Sequence, residues 1–376
     1  MGRQAHLLHV FSSFAPGGPE LRAVSLIGAF GSSFRHSIVS MDGRASAAER
    51  LPTGIEAAVL EGPPKGGWPS TVRALRRLIR EVSPDLLLTY NWGAIDAVVA
   101  AQTLRFTRVV HHEDGFNADE AVGFKRRRVW VRRLVLPRVR RVIVPSRRLE
   151  RVALDVWRLA PSLVAWVPNG IDILALPDAS TREAIRSELG IAPHAWVLGS
   201  VGHLRAEKNL PRLVRACALV RHLEQLVVVV AGDGPERERI EAEVRAQGLA
   251  DRFVMLGHRQ DARRLYAAMD AFALSSDTEQ MPISVLEAMA SALPVVATAI
   301  GDVPLMLPPE QKTYLVPLGE HAAEGLARAI ESLYADRVEA ARVGLANRGQ
   351  AASAFGFEGM VASYRRLYAE AVGSGS

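Results

Sequence analysis

Two glutamates, Glu279 and Glu287, stand eight residues apart in the run SSDTEQMPISVLEAMASALPVVAT. The apolar stretch 271–274 before them reads as a buried strand, and 275–280 as the loop beyond its carboxyl end. Pro282 suits the first turn of a helix, where its missing N–H costs nothing. Ile283, Leu286 and Ala290 then recur at helical spacing before 294–297 opens another strand. One carboxylate therefore sits in a strand-to-helix loop and the other in the early turns of the helix. Ligands of open α/β sheets bind in that crevice, and paired carboxylates there can accept hydrogen bonds from the vicinal hydroxyls of a sugar or a ribose. The plain alternative for either residue alone is a solvated surface charge, the usual fate of Glu.

Three further segments have the composition to hold a diphosphate. In SSFAPGGPELR, Gly17 and Gly18 allow a tight turn after the first strand, and Pro19-Glu20 open a helix whose N-terminus attracts anions. In VGHLRAEKNL, residues 201–210, a strand end carries His203, Arg205 and Lys208 into a helix. Cations there would neutralise charge on a departing phosphate. Lys208 is one of only four lysines among 46 basic residues, so it is less easily background than an arginine. AGDGPERE, residues 231–238, reads first as another tight strand-to-helix turn.

The first half of the chain offers its own cluster, VVHHEDGFNADE from Val109 to Glu120. His111, His112, Glu113 and Asp114 at a strand end could do acid–base work. A two-histidine metal site is disfavoured, because adjacent residues on a strand face opposite ways.

These side chains need a frame that holds strand ends together. At 376 residues the chain is too long for one ordinary core and implies two domains of under about 200 residues each. Strand and helix signals alternate through both halves, which predicts two doubly wound parallel sheets. Strands are expected at 6–11, 37–40, 85–90, 108–112, 141–145 and 164–167, then at 196–201, 226–231, 253–256, 271–274, 294–297 and 314–316. The turn-rich PNGIDILALPDAS, 168–180, is the expected boundary, giving domains 1–168 and 169–355. A last helix within 356–372 is expected to return to the first domain.

Composition narrows the class. Hydrophobic residues at 49% and charged residues at 23% describe a globular protein. No apolar run approaches the ~20 residues of a membrane span, and the opening MGRQAHLLHVFSS reads as a strand rather than a leader. The single cysteine, Cys217, leaves no internal disulfide or Cys-based zinc framework, and a cytoplasmic location is the expectation. The net charge of +6 is uneven: residues 125–151 hold twelve basic side chains against Glu150 alone, with Trp130, Val131, Leu134, Val135 and Leu136 interleaved. Such a segment can lie on an anionic membrane surface or be a solvated helix face. Nucleic acid is disfavoured because no binding motif accompanies the charge.

The 279–287 run, with its LEAMA…PVVAT continuation, resembles the E-x7-E motif of retaining glycosyltransferases of GT-B fold, in particular family 4 (glycosyl transferases group 1). VGHLRAEKNL is similar to that family's G-R-L-x-x-E-K-G motif, except that His203 stands at the usual arginine position and Arg205 two residues on. VPNGID and PGGPE resemble its interdomain signature and acceptor-side glycine loop. The likeness covers most of residues 1–370 and is thin from 42 to 104. It implies two Rossmann-like domains facing across a cleft. It also implies a sugar transfer from a nucleotide diphosphate donor, UDP favoured and GDP the alternative, to a hydroxyl of a lipid-linked or glycan acceptor, with retention and no enzyme nucleophile. By the same resemblance Glu279 contacts the donor hexose and Glu287 the ribose. Lys208 and Arg205, or His203 in its place, meet the diphosphate. Gly17, Gly18 and Gly257 bring backbone close to the donor, and His111 or His112, with His111 favoured, lies near the transferred sugar. Glu113 and Asp114 are then acceptor-side candidates. No D-x-D pair occurs, so cations and backbone N–H groups would replace a metal, and no cofactor is expected. A sugar-nucleotide epimerase and a non-catalytic nucleotide-sugar-binding protein share the architecture; the epimerase would form product from donor alone.

Overall fold

The computed structural model describes residues 4–64, 66–115, 123–173, 179–220 and 225–373. Residues 116–120 of the acidic run after His112 and the last three residues lie outside them. Two units divide the chain: Met1–Asn169 with Glu358–Ser376, and Gly170–Phe357.

The first unit is built on a parallel sheet of seven strands: β1 (Ala5–Phe11), β2 (Phe34–Ser40), β3 (Ala57–Leu60), β4 (Leu86–Tyr90), β5 (Val109–His112), β6 (Arg141–Val144) and β7 (Val164–Trp166). Their order is β3-β2-β1-β4-β5-β6-β7. The second unit holds β8 (Trp196–Val201), β9 (Leu226–Ala231), β10 (Phe253–Gly257), β11 (Ala271–Leu274), β12 (Val295–Thr298) and β13 (Leu315–Val316), in the order β10-β9-β8-β11-β12-β13. Strands such as Leu86–Tyr90 are buried at every position, because helices cover both faces of a parallel sheet and leave no face for polar alternation. Each order reverses once, between β1 and β4 and between β8 and β11. Loops leaving those strand pairs diverge and open a crevice at their carboxyl ends.

Several elements differ from the sequence reading. Strand β3 was not expected: it lies at a sheet edge with Ala58 and Val59 exposed, so its burial pattern carries no period. Helix Ala179–Glu188 follows the boundary segment and was also missed. It docks through Arg182 and Arg186, which bond Asp270 at 2.6 and 2.7 Å. After β6 the chain is α-helical at Arg147–Arg151 and continues as a π-helical turn, Val152–Val156. Pro282 caps helix Ile283–Ala290 from outside rather than filling its first turn. Cys217 is buried in the core on helix Leu210–Leu219.

The last helix, Phe357–Gly373, belongs to the first unit. Tyr364 and Tyr368 lie on its buried face, and the Tyr368 hydroxyl lies 2.8 Å from His112 Nε2. Among the described residues no helix is long and apolar enough to cross a membrane.

Candidate active site

Lys208 and Glu279 meet at the switch point of the second sheet. The Lys208 Nζ donates to Glu279 Oε1 at 2.5 Å, and the two side chains are 24% and 11% exposed. Ser276 Oγ donates to the same oxygen at 2.8 Å. Among the described residues Oε2 of Glu279 has no partner, so one oxygen is held and one is left for a ligand.

This pairing depends on stitching between the loops that follow β8 and β11. The Asp277 amide donates to the Glu207 carbonyl at 2.7 Å, and Ser275 Oγ bonds the Lys208 and Asn209 carbonyls at 3.1 and 3.0 Å. Arg212 reaches back to the Ser275 carbonyl at 2.8 Å. Asn209 turns the chain with φ 43°, ψ 48° and caps helix Leu210–Leu219 through its side chain; Asn tolerates that left-handed region better than most residues. On the other side Thr298 Oγ1 holds the Ser276 carbonyl at 2.7 Å. At Gly301, φ +53°, a Cβ would lie 2.2 Å from the Glu279 carbonyl, so only glycine lets the 299–302 turn back the loop that carries Glu279.

The glycines of AGDGPERE have a use beyond a tight turn. A Cβ on Gly232 would stand 1.8 Å from the Gly202 carbonyl oxygen, and one on Gly234 2.4 Å from that of Leu204. The Leu204 amide bonds the Asp233 carbonyl at 2.9 Å, and the Gly232 amide bonds that of Gly257 at 2.8 Å. Loops after β8, β9 and β10 thus lie backbone to backbone, and Gly257 joins the site as a support for this row. A pocket beside it is lined by Gly202, His203, Leu204, Lys208, Ser275 and Ser276, among others. His203 is exposed on its wall. Arg205 points to solvent, 60% exposed, with only a 3.9 Å approach to Glu207.

Glu287 sits in the second turn of helix Ile283–Ala290 and is not a solvated charge. The Tyr266 hydroxyl donates to its Oε2 at 2.8 Å. Burial pushes the Glu287 carboxyl above the ordinary range, against the pull of the Tyr266 bond and of Arg263.

In the first unit His111 and His112 point to opposite sides of β5, and both are buried. His111 Nδ1 meets Thr89 Oγ1 at 2.8 Å and its Nε2 is 3.5 Å from Glu113. Glu113 is taken by Arg132, through bonds of 2.9 and 3.1 Å. Burial would raise this carboxyl, but Arg132 and His111 outweigh it and hold the group below the usual range. His112 stacks on Tyr90 with centroids 4.4 Å apart and is kept neutral mainly by burial. Asp114 pairs with Arg22 at 2.5 Å, the side chains 7% and 6% exposed. Arg22 also donates to Asn169 Oδ1 at 3.0 Å. The Asp114 amide bonds the Asn91 side chain at 2.7 Å, and Asn91 itself has φ 59°. Strain of that kind gathers at functional sites. Gly17 and Gly18 open helix Gly18–Phe30; Gly17 is extended at φ −154° and its carbonyl accepts the Leu21 amide. The turn there is made without left-handed backbone.

The structure thus groups Lys208, Glu279, His203 and Gly257 with the newly found Ser276 on the second sheet, and His111 to Asp114 with Arg22 and Asn91 on the first. The new members escaped the sequence because their partners are far away in the chain. Tyr266 carried no signal of its own in the sequence, and Asn91, after the buried strand LLLTY, was a polar residue that could have been flagged.

Two doubly wound parallel sheets, each carrying polar side chains at its switch point, define a two-unit Rossmann-like α/β protein. The family models for Glycosyltransferase Family 4 and Glycosyl transferases group 1 match residues 16–173 and 181–350, so the chain belongs to the group 1, family 4 glycosyltransferases of GT-B fold. Among relatives, the 2-deoxystreptamine N-acetyl-D-glucosaminyltransferase of Streptomyces fradiae is 34% identical over 203 residues, 51% of this chain and 47% of that protein. The chain therefore spans about half the length of that relative. The UDP-Gal:alpha-D-GlcNAc-diphosphoundecaprenol alpha-1,3-galactosyltransferase of Escherichia coli is 24% identical over 66% of each. The fold is that of Anabaena Alr3699/HepE, solved in complex with UDP-glucose: TM-score 0.84, 23% identity, 98% of this chain and 100% of that one.

Proposed function

We propose that this protein is a retaining glycosyltransferase that moves a hexose from a nucleotide diphosphate donor, UDP favoured, to a hydroxyl of a glycan or lipid-linked acceptor. The observation that carries this reading is the Lys208–Glu279 pair at the switch point of the second sheet, with Glu287 on the helix that follows. Glu279 Oε2 accepts a hydroxyl of the sugar, Glu287 accepts the ribose hydroxyls, and Lys208 meets the diphosphate. The bond from the anomeric carbon to the phosphate oxygen breaks, and the acceptor oxygen bonds that carbon on the same face. The acceptor proton passes to a phosphate oxygen. Lys208 then supplies the charge that a metal would otherwise bring, so the transfer is metal-independent. Arg205 is free to swing toward the diphosphate, and His203 lies nearer to it on the pocket wall. The UDP-glucose complex of the Anabaena protein and the nucleotide donor in the name of the Escherichia coli relative support the choice of base.

A peripheral membrane contact fits the same reading. On helix Arg126–Val135, Trp130 and Leu134 are 64% and 65% exposed, and Phe124 lies just before it. Lys125, Arg126 and Arg127 are exposed beside them. Apolar side chains rimmed by cations suit an anionic lipid surface, where a lipid-linked acceptor would be met. The diphosphoundecaprenol-linked substrate named for the Escherichia coli relative agrees.

The test is a thermal-shift and calorimetric screen against UDP, GDP, ADP and their sugar conjugates, with EDTA and then with Mg²⁺. A selective rise with UDP compounds that EDTA leaves unchanged is expected. Absence of binding by every nucleotide would overturn the proposal. Sedimentation with phosphatidylglycerol vesicles should fall on Arg126→Ser/Arg127→Ser substitution; unchanged binding would remove the membrane contact alone.

A further inference from the structure

Tyr266 opens the single 3-10 turn Tyr266–Ala268, after helix Ala262–Leu265. It is 1% exposed and packs against Phe272 of β11, with centroids 5.8 Å apart. A phenol in such a core must place its hydroxyl on a partner. Two acceptors compete for its one hydrogen: Glu287 Oε2 at 2.8 Å and the Ser284 carbonyl at 3.2 Å. The closer oxygen takes it, at the usual length of an O–H···O bond. Among the described residues, the other oxygen of Glu287, Oε1, has no partner. The arrangement repeats that of Glu279, in which Ser276 and Lys208 hold one oxygen and leave its twin open.

We propose that Tyr266 is a positioning residue for nucleotide recognition: its hydroxyl holds Glu287 by Oε2 and so presents Oε1 to the ribose of the donor. This rests on the glycosyltransferase reading above. The phenol has a second effect. Burial pushes the Glu287 carboxyl up, and the Tyr266 hydrogen bond and Arg263 oppose that rise. Burial also drives the Tyr266 hydroxyl well above its ordinary value, so it remains a donor across the working range. Among the described residues these are the two groups that act on the Glu287 carboxylate, and removing the hydroxyl leaves Arg263 alone of them to favour its charged form. Glu287 would then take up its proton at a higher pH, and an ionised acceptor would be lost.

Tyr266→Phe removes the hydroxyl and keeps the ring against Phe272. Calorimetry with UDP, or with whichever nucleotide the unaltered protein selects, is run from pH 5 to 8 on the full chain. The expected result at pH 7.5 is a dissociation constant roughly ten-fold weaker, the scale of one hydrogen bond to a charged group. The acid limb of the binding profile should move to higher pH. In a Glu287→Gln background the same substitution should add less than two-fold, because its effect runs through the carboxylate. Unchanged affinity and pH profile, or an effect fully retained in the Glu287→Gln background, would overturn the inference. So would a lowered melting temperature with normal binding, which marks a packing role only. A parent protein that binds no nucleotide would instead sink the glycosyltransferase reading, and the two failures are therefore separable.

Discussion

Replacing Arg132 with methionine would remove the cation from the middle of the first unit. The guanidinium is fully buried, bonds Glu113 through Nε and Nη2 at 2.9 and 3.1 Å, and lies between the rings of Trp92 and Trp157 at 5.1 and 4.9 Å. Methionine refills most of the slot and keeps a sulfur–aromatic contact, so the main loss is electrostatic. Removing one partner of a buried ion pair costs about 3–5 kcal/mol, because the remaining charge loses its main compensation. For a unit of this size about 1 kcal/mol moves the melting temperature by roughly 2–4 °C. The expected drop is therefore roughly 6–20 °C, read by near-ultraviolet circular dichroism during a thermal ramp.

The sign of the pH dependence sharpens this. In the parent, Glu113 is held below the usual carboxylate range, so its contribution is present at neutral pH and is lost as pH falls. Without Arg132, His111 alone is left to oppose burial, so the carboxyl moves up from its depressed value and its protonated form gains at low pH. The stability gap between parent and variant should narrow as pH falls from 7 toward 5. Adding Glu113→Leu should restore much of the loss, since removing both charges leaves no orphan. A single variant melting within 2 °C of the parent would refute the reasoning, as would a double variant less stable than the single one.

Other consequences follow from the same packing. Lys208→Ala should lower turnover about 10²–10³-fold, the scale of one preorganised donor at a site of developing charge, with the fold intact by circular dichroism; near-normal rates would take the diphosphate role from Lys208. Gly232→Ala places a Cβ 1.8 Å from the Gly202 carbonyl at φ +146°, so the loops must part, at a cost of about 1–3 kcal/mol. Its melting temperature and nucleotide affinity should fall together, and an unchanged pair of values would mean that the loop row is dispensable. The buried imidazoles make the first unit acid-sensitive: burial lowers His36 to about 4 and depresses His9 and His112 as well. Unfolded histidine takes its proton near 6.5, so stability is full above that value and is lost as pH falls from about 6.5 toward 4, at about 1.4 kcal/mol per pH unit for each such group. A melting temperature flat from pH 7 to 5 would contradict this.

What could be read from the chain alone was whatever is local. Leu226–Ala231 declares a buried strand by composition, and the loop-to-helix spacing of Glu279 and Glu287 is fixed within one β-α unit. Lys208 was legible because lysine is rare in this chain. Strand β3 was hidden because AAVL at a half-exposed edge has neither a buried run nor a period. Helix Ala179–Glu188 was hidden because its attachment is a pair of arginines reaching Asp270, more than eighty residues away. The same applies to the site: Arg22 with Asp114, Asn91 with the Asp114 amide, and Tyr266 with Glu287 are tertiary pairs that no periodicity announces. Glu113 shows the opposite case. The family resemblance implied an acceptor-side group there, while the structure gives both of its oxygens to Arg132, a residue that the sequence offered only as one more cation in a basic run.

The two sheets solve one problem in different ways. At a switch point the loops diverge, which opens a crevice but leaves the side chains within it poorly supported. In the second unit support comes from backbone: Gly232, Gly234 and Gly301 let carbonyls approach where a Cβ would intervene, and the carboxylates are then trimmed by single hydroxyls from Ser276 and Tyr266. In the first unit support comes from buried polar side chains, with Arg132 on Glu113, Arg22 on Asp114, and Tyr368 on His112. Backbone support is insensitive to pH and salt, whereas ion pairs and neutral imidazoles depend on protonation. It follows that mild acid should weaken the unit carrying His111 to Asp114 before it disturbs the loop row around Lys208. Hydrogen exchange at pH 5.5 would register this as faster exchange in β1, β4 and β5 with β8 and β9 still protected. Equal loosening of both sheets would show that the polar clusters of the first unit are not what sets its acid sensitivity.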